Sequence, residues 1–199
     1  DVYKRQGQGI IKTRRFGYDG KGQWRMTPET DLKALLNEID NRPAICEAFI
    51  PFDGEVSVVA ARSTSGQIAT FDMAENIHEN HILRHSFVPT RLAENLTQQA
   101  ADMAHLLLTE LDYVGVLTLE IFVCQDKLLI NEIAPRVHNS GHWTIDACAT
   151  DQFEQHMRAV AGWPLGSPNR QYDAVMTNLL GTEIKPVSYT HLTLPTNRE

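Results

Sequence analysis

Two glutamates sit inside runs that are otherwise almost wholly apolar. Glu120 falls within Val116 to Val123, and Glu132 within Leu128 to Ile133. Between the runs, Cys124-Gln125-Asp126-Lys127 reads as a tight hairpin connection. A hairpin loop with an odd number of residues centred on Asp126 places the two acids directly opposite. Their Cβ atoms are then about 4.5–5.5 Å apart, where like charges repel. A hard divalent cation between them removes that penalty. Mg²⁺, with Mn²⁺ as its substitute, takes oxygen ligands and is usually shared with nucleotide phosphates. Asn131 adds a neutral oxygen. The alternative is that one acid faces solvent on an edge strand. The loop that follows, APRVHNSGH, carries Arg136, His138 and Asn139, with His142 just beyond them. A guanidinium there suits bidentate phosphate recognition.

Other chemistry-bearing positions are less specific. Phe16 to Gln23 (FGYDGKGQ) has three glycines in six residues, with Lys21 between the last two. Backbone N–H groups and a cation in such a loop can wrap phosphates. It lacks the Gly-Lys-Ser/Thr of a Walker loop and the dinucleotide fingerprint, and a plain hairpin turn has the same composition. Lys12, in a short strand, fits a phosphate contact or an ordinary surface lysine. Glu47 in AICEAFI fits a base or ribose donor, or a solvent-facing strand position. Glu55 fits a ribose hydroxyl or a turn charge. His78 and His81 lack the soft neighbours of a zinc site. No Ser-His-Asp or Cys-His spacing supports a nucleophile.

The elements that must position these groups follow from periodicity. Strands are expected at 9–15, 23–26, 44–50, 55–62, 67–73, 116–123, 128–133 and 174–180. Thr27-Pro28 opens a helix to Ile39, with Leu32, Leu35, Leu36 and Ile39 on one face. Leu92 to Leu111 is the clearest helix, with a stripe of Leu92, Leu96, Met103, Leu107 and Leu111. Residues 144–161 form another, stopped by Gly162-Trp163-Pro164. Residues 75–84 read as a polar, His-containing segment. This is an α+β chain of mainly antiparallel strands with packed helices. Its expected divisions are a small lobe at 7–62 and a larger one at 63–185, closing over a ligand. Residues 1–6 and 186–199 read as a leader and tail foreign to the fold.

Composition narrows the classes. Hydrophobic content of 42% and charged content of 22% are those of an ordinary globular chain. The net charge of −7 argues against nucleic-acid and anionic-membrane partners. No apolar run reaches the roughly 18 residues of a spanning helix. Three cysteines without metal spacing fit free buried thiols in a reducing cytoplasm.

Together, the strand lysine, glycine-rich loop, EAFI strand and E…NE acid pair resemble an ATP-grasp domain. Within that superfamily FGYDGKGQW, GEVSVVAAR, ENIHENHIL, YVGVLTLEIFV and LLINEIAPRVHNSGHWT resemble the 5-(carboxyamino)imidazole ribonucleotide synthase family of purine biosynthesis. The resemblance covers nearly all of residues 7–185. It implies ATP, bicarbonate and 5-aminoimidazole ribonucleotide as ligands, Mg²⁺ as cofactor, a cytoplasmic setting and a homodimer. It implies that Lys12 meets phosphate. Gly17, Tyr18, Asp19, Gly20, Lys21, Gly22 and Gln23 would close over the phosphates. Glu47, Ala48, Phe49 and Ile50 would receive the adenine edge, Glu55 the ribose, and His78 would line the nucleotide. Glu120 and Glu132, with Asn131, would hold the metal. Tyr18, Asp19, Arg136, His138 and Asn139 would bind the acceptor, with Asp19, Arg136 and His138 catalytic. Against the family pattern, an N-terminal α/β domain and most of a C-terminal β domain are expected to be missing, and Phe16 stands where glycine is common. Rival readings are another ATP-grasp carboxylase or ligase, of glycinamide ribonucleotide or biotin carboxylase type, and a nucleotide-binding module without turnover.

Overall fold

Glycine-rich and β-rich segments alternate early in the chain, and they fold as a small antiparallel sheet. The computed structural model describes residues 8–15, 17 and 21–183. Tyr18, Asp19 and Gly20, and the expected leader and tail, lie outside the described residues. Strands β1 (Gly9–Thr13), β2 (Gln23–Met26) and β3 (Ala44–Ala48) pair in the order β2-β1-β3. The Thr13 N–H donates to Gly22 O at 2.7 Å and closes the base of the glycine-rich loop. Gly22 has φ +73°, and a Cβ there would lie 2.6 Å from Thr13 Oγ1, so only glycine fits.

Helix α1 (Leu32–Ile39) begins later than expected. Asp31 is the N-cap, its carboxylate accepting from Lys33 N and Ala34 N. Thr27 and Thr30 instead close a turn, with Thr27 N donating to Thr30 Oγ1 at 2.8 Å. Leu35 and Ile39 are buried, but Leu32 and Leu36 face solvent. Much of β3 is exposed as well, including Cys46, so neither this strand nor its thiol is buried as expected.

The chain divides into two compact units. One runs up to Asp53 and takes in His78–Ile82; the other comprises Gly54–Ile77 and the chain from Leu83 onward. Sequence patterning sets a boundary at residue 62. Strand β4 (Gly54–Arg62), however, pairs along its whole length with β8 (Gly115–Cys124), and so goes with the second unit. The second sheet runs β10-β7-β6-β4-β8-β9, with β5 (Ile68–Thr70) beside β4. Here β6 is Ala74–Glu79, β7 Ile82–Val88, β9 Lys127–Ala134 and β10 Ala174–Thr177. The segment 75–84, expected to be merely polar, is a strand hairpin. It turns on Asn80 and His81, both at positive φ.

Apolar residues alternate along β4 and β8, and they supply two cores, one on each sheet face. On one face Val56, Val58, Leu117, Leu119, Ile121 and Val123 pack with Ala100, Ala104 and Leu108 of α2 (Glu94–Glu110). The small residues let this helix lie close to the sheet. Its fully buried stripe is Leu96, Ala100, Ala104 and Leu108; Leu92, Met103 and Leu107 flank it and Leu111 is exposed. On the other face Val59, Ala61 and Val116 pack with Trp143, Ala147 and Ala159. The single helix expected at 144–161 is split into α3 (Thr144–Ala147) and α4 (Gln152–Val160). Cys148 between them is extended and bridges to Arg170, and Asp151 starts α4 afresh by accepting from Phe153 N and Glu154 N. No helix among the described residues is long and apolar enough to cross a membrane.

Candidate functional site

The two acids do lie opposite each other, by a different route from the one the loop suggests. The connection is a two-residue turn, Gln125 and Asp126, both at positive φ, with Cys124 opposite Lys127. That even turn alone would pair Glu120 with Asn131. A β-bulge at Asn131 corrects it: Ile121 pairs with Ile130, and Glu120 with Glu132. Ile130 and Ile133 lie opposite Ile121 and Leu119, two members of the α2-side core. Both residues between them, Asn131 and Glu132, are thereby assigned to the Glu120 face. The bulge gathers three oxygen-bearing side chains where regular alternation would give two.

On that face His138 Nε2 lies 3.0 Å from Glu120 Oε1, with both side chains about 15% exposed. His138 is placed by its backbone. Gln152, fully buried at the start of α4, accepts from His138 N at 2.9 Å and donates to His138 O at 2.8 Å. Gly141 makes room for that amide, since a Cβ there would come within 2.5 Å of Gln152 Oε1. The ring's other nitrogen, Nδ1, accepts from the Ser140 N–H at 3.3 Å and meets Ser140 Oγ at 2.9 Å. Behind Ser140 stand Ser57, Asn76 and Ser86, all buried. Sequence patterning missed Ser57, Asn76, Ser86, Ser140 and Gln152. The available signal was Ser57 within an alternating strand, where it lies opposite Glu120.

The loop between β9 and the 3₁₀ turn at Asn139–Gly141 is also tied down. Tyr113 Oη donates to Pro135 O at 2.7 Å, and burial pushes its phenol above the usual range, which keeps it a donor. Arg136 and Asn139 are exposed, and Arg136 donates to Val137 O. His142 stacks on Phe153 with ring centroids 5.7 Å apart. Burial, and then the neighbouring His138, lower its pKa.

The other expected site residues fall on both units. In the first unit Lys12 Nζ lies 2.7 Å from Glu47 Oε2 across the β1–β3 pair. Thus two residues assigned to phosphate and base meet each other. Ala48 ends β3 and Phe49 and Ile50 follow it, half-buried, with the Arg25 guanidinium 4.4 Å from the Phe49 ring centre. Gly17, Lys21, Gly22 and Gln23 border the glycine-rich loop, Gln23 opposite Lys12. His78 lies near the end of β6 and belongs to this unit. In the second unit Glu55 lies on β4 opposite Phe122 and Asn76. Cys148 is no nucleophile: burial raises its thiol to about 11.

Among the described residues no group of three or more His, Cys, Asp or Glu could cage a metal. Two opposed carboxylates and an amide oxygen suit Mg²⁺, which keeps water and phosphate oxygens in its shell rather than an all-protein cage.

This arrangement can be set beside known proteins. A family model described as the ATP-grasp domain matches residues 4–153. The chain belongs to the ATP-grasp family. Its α+β architecture of antiparallel sheets with packed helices is the ATP-grasp fold. An N5-carboxyaminoimidazole ribonucleotide synthase of Brucella melitensis is 54% identical over 184 residues, covering 91% of this chain and 51% of that protein. A crystal structure of N5-carboxyaminoimidazole ribonucleotide synthetase in complex with ADP matches with a TM-score of 0.88 and 44% identity, over 94% of this chain and 50% of the other. The synthase of Aspergillus clavatus, in complex with ADP and 5-aminoimidazole ribonucleotide, matches with a TM-score of 0.84 and 25% identity, over 94% and 51%. This ATP-grasp chain spans about half the length of the curated relatives it matches.

Proposed function

We propose that the chain serves the ATP- and bicarbonate-dependent carboxylation of 5-aminoimidazole ribonucleotide to its N5-carboxy form. One observation carries the reading. The opposed pair Glu120–Glu132 runs directly into APRVHNSGH, and His138 of that loop folds back onto Glu120 at 3.0 Å. Metal carboxylate and acceptor loop are thus one continuous structure, and the likeness to the synthases supports the acceptor's identity.

In this reading a bicarbonate oxygen attacks the γ-phosphorus of ATP. The bond to the bridging oxygen of ADP breaks, giving carboxyphosphate. The exocyclic amine of the acceptor then attacks the carboxyl carbon, the C–O bond to phosphate breaks, and the nitrogen releases a proton. Positioning and charge neutralisation dominate such transfers. A cation on Glu120, Glu132 and Asn131 supplies that neutralisation. Lys12 and Lys21 add positive charge toward phosphate, and the glycine-rich loop from Gly17 to Gln23 shields carboxyphosphate from water. Glu47 to Ile50 receive the adenine edge, Glu55 the ribose, and His78 lines the nucleotide. The exposed fork of Arg136 meets the acceptor's phosphate, Asn139 and His138 its ring, and Tyr18 and Asp19 complete the acceptor side. A cytoplasmic homodimer belongs to the same reading.

The test is ADP release in the presence of bicarbonate, with each acceptor offered in turn. Stimulation by 5-aminoimidazole ribonucleotide alone is expected. Stimulation by glycinamide ribonucleotide or biotin would transfer the chain to another ATP-grasp ligase class. Mg²⁺-dependent ATP binding with no bicarbonate-dependent turnover would make it a binding module.

A further inference from the structure

A line of buried polar groups runs from Ser86 to the ring of His138, and its direction matters. Ser57, Asn76, Ser86 and Ser140 are each at most 7% exposed. Buried polar groups must be paired, and these are paired in series. Ser86 Oγ donates to Asn76 Oδ1 at 2.8 Å, and Asn76 Nδ2 donates to Ser57 Oγ at 2.9 Å. Ser57 Oγ donates to Ser140 Oγ at 2.7 Å, and Ser140 Oγ lies 2.9 Å from His138 Nδ1. We propose that Ser57, Asn76 and Ser86 are positioning residues that set the tautomer of His138, leaving Nδ1 bare and holding the ring N–H at Nε2 against Glu120.

Each hydroxyl owns a single hydrogen, so one bond's direction dictates the next. The Asn76 amide can sit in two ways. With Nδ2 toward Ser57, hydrogens run from Ser86 to the ring, and Ser140 donates to Nδ1. With the amide reversed, every donor reverses and the ring carries its hydrogen on Nδ1. That direction sets Nδ1–H against the Ser140 backbone N–H, 3.3 Å away. It also turns a bare Nε2 toward the Glu120 carboxylate at 3.0 Å. A backbone N–H can only donate, and a carboxylate can only accept. The groups that flank the ring and the line behind Ser140 therefore agree on the forward direction, and the line holds the ring there by fixing the Ser140 hydroxyl as a donor. Gln152 grips the backbone of His138 on both sides, which keeps the ring in line.

The consequence rests on the proposed role of Glu120 as a cation ligand; the relay itself does not. With Nε2–H on Oε1, the carboxylate is held in one orientation before any cation arrives. Outer-shell partners of this kind are worth about 10–100-fold in metal affinity.

The experiment labels the histidines with ¹⁵N and reads long-range ¹H–¹⁵N correlations, which distinguish a bare ring nitrogen from a protonated one. The chain has eight histidines, so the His138 signals are assigned by their loss in His138→Asn. The wild-type ring is expected to show bare Nδ1 and protonated Nε2. Ser86→Ala removes a hydroxyl four hydrogen bonds from the ring, frees the amide to turn, and is expected to give mixed tautomers. Asn76→Asp presents only acceptors to Ser57 and is expected to put a hydrogen on Nδ1. A wild-type ring with hydrogen on Nδ1 overturns the proposal. So does an unchanged tautomer in both variants when their amide spectra remain native-like. Mn²⁺ affinity in the presence of ADP, read by water-proton relaxation, is expected to fall about 10-fold in Asn76→Asp, where the ring is reversed, and only about twofold in Ser86→Ala, where the tautomers are mixed. A changed tautomer with unchanged Mn²⁺ affinity sustains the relay and overturns its effect on cation binding at Glu120.

Discussion

Glu132 is the most direct point of attack, because it is exposed and its removal leaves the core alone. Glu132→Gln keeps the shape and one oxygen but halves the charge facing a cation. Mg²⁺-dependent ADP binding is expected to weaken by at least the ~10-fold that loss of even an outer-shell partner costs. Calorimetry would measure this, and an unchanged affinity would sink the metal assignment. His142 gives a second test. Its pKa is lowered by burial against Phe153 and by His138, so the fold favours the neutral ring. That contribution is fully present above the ordinary value of 6.5, and it is lost as pH falls from there through the lowered folded value. In His142→Phe, which keeps the stacking surface, the urea midpoint is expected to decline less below pH 6.5 than in the wild type. Parallel declines would show that the ring's charge does not matter. The acids were legible in the sequence because a carboxylate in an apolar strand is costly without a partner. Ser57, Asn76 and Ser86 were not legible. A small polar residue on a strand reads equally as solvent-facing, and only the pairing of four separate segments reveals the line they form.

Secondary structure was legible where one period dominated and obscure where a cap or bulge intervened. Strand β2 and the strands carrying Glu120 and Glu132 have the expected places. The rule offered for the acids' alignment, an odd loop, was replaced by an even turn plus a bulge, and a bulge leaves no period in the sequence. Helix α2 makes the same point about faces. A leucine count puts Leu111 in the stripe and ignores alanines, whereas close approach to the sheet buries Ala100 and Ala104 and carries Leu111 past the core. Two truncations separate these descriptions. Leu108→Ala, at 0% exposure within the α2-side core, is expected to cost about 3 kcal/mol of unfolding free energy. Leu111→Ala, at 58% exposure, is expected to change it by less than about 0.5 kcal/mol. Urea unfolding of both variants checks this, and equal losses would restore the leucine stripe.

The two units differ in what holds each together. The second has a core on each face of its sheet, with β4 and β8 shared between them. In the first unit, among its described residues, only Gly9, Leu35 and Ile39 are buried. Small units that bury little apolar surface are marginal, and local opening free energies follow the buried contacts of each region. Amides of β1 and β3 are therefore expected to exchange with much lower protection than those of β4 and β8. The proposed function adds a second expectation. If Lys12, Glu47 to Ile50 and the glycine-rich loop bind nucleotide, ADP with Mg²⁺ stabilises the bound form of the first unit over its opened form. At a ligand concentration 100 times Kd that linkage is about 2.7 kcal/mol. Deuterium exchange should then slow in β1 and β3 on adding ADP and Mg²⁺, while amides at the centre of β8 change little. Equal protection of the two units without nucleotide would contradict the inference from burial. Unchanged exchange in β1 and β3 at saturating ADP would instead remove the first unit's residues from the nucleotide site.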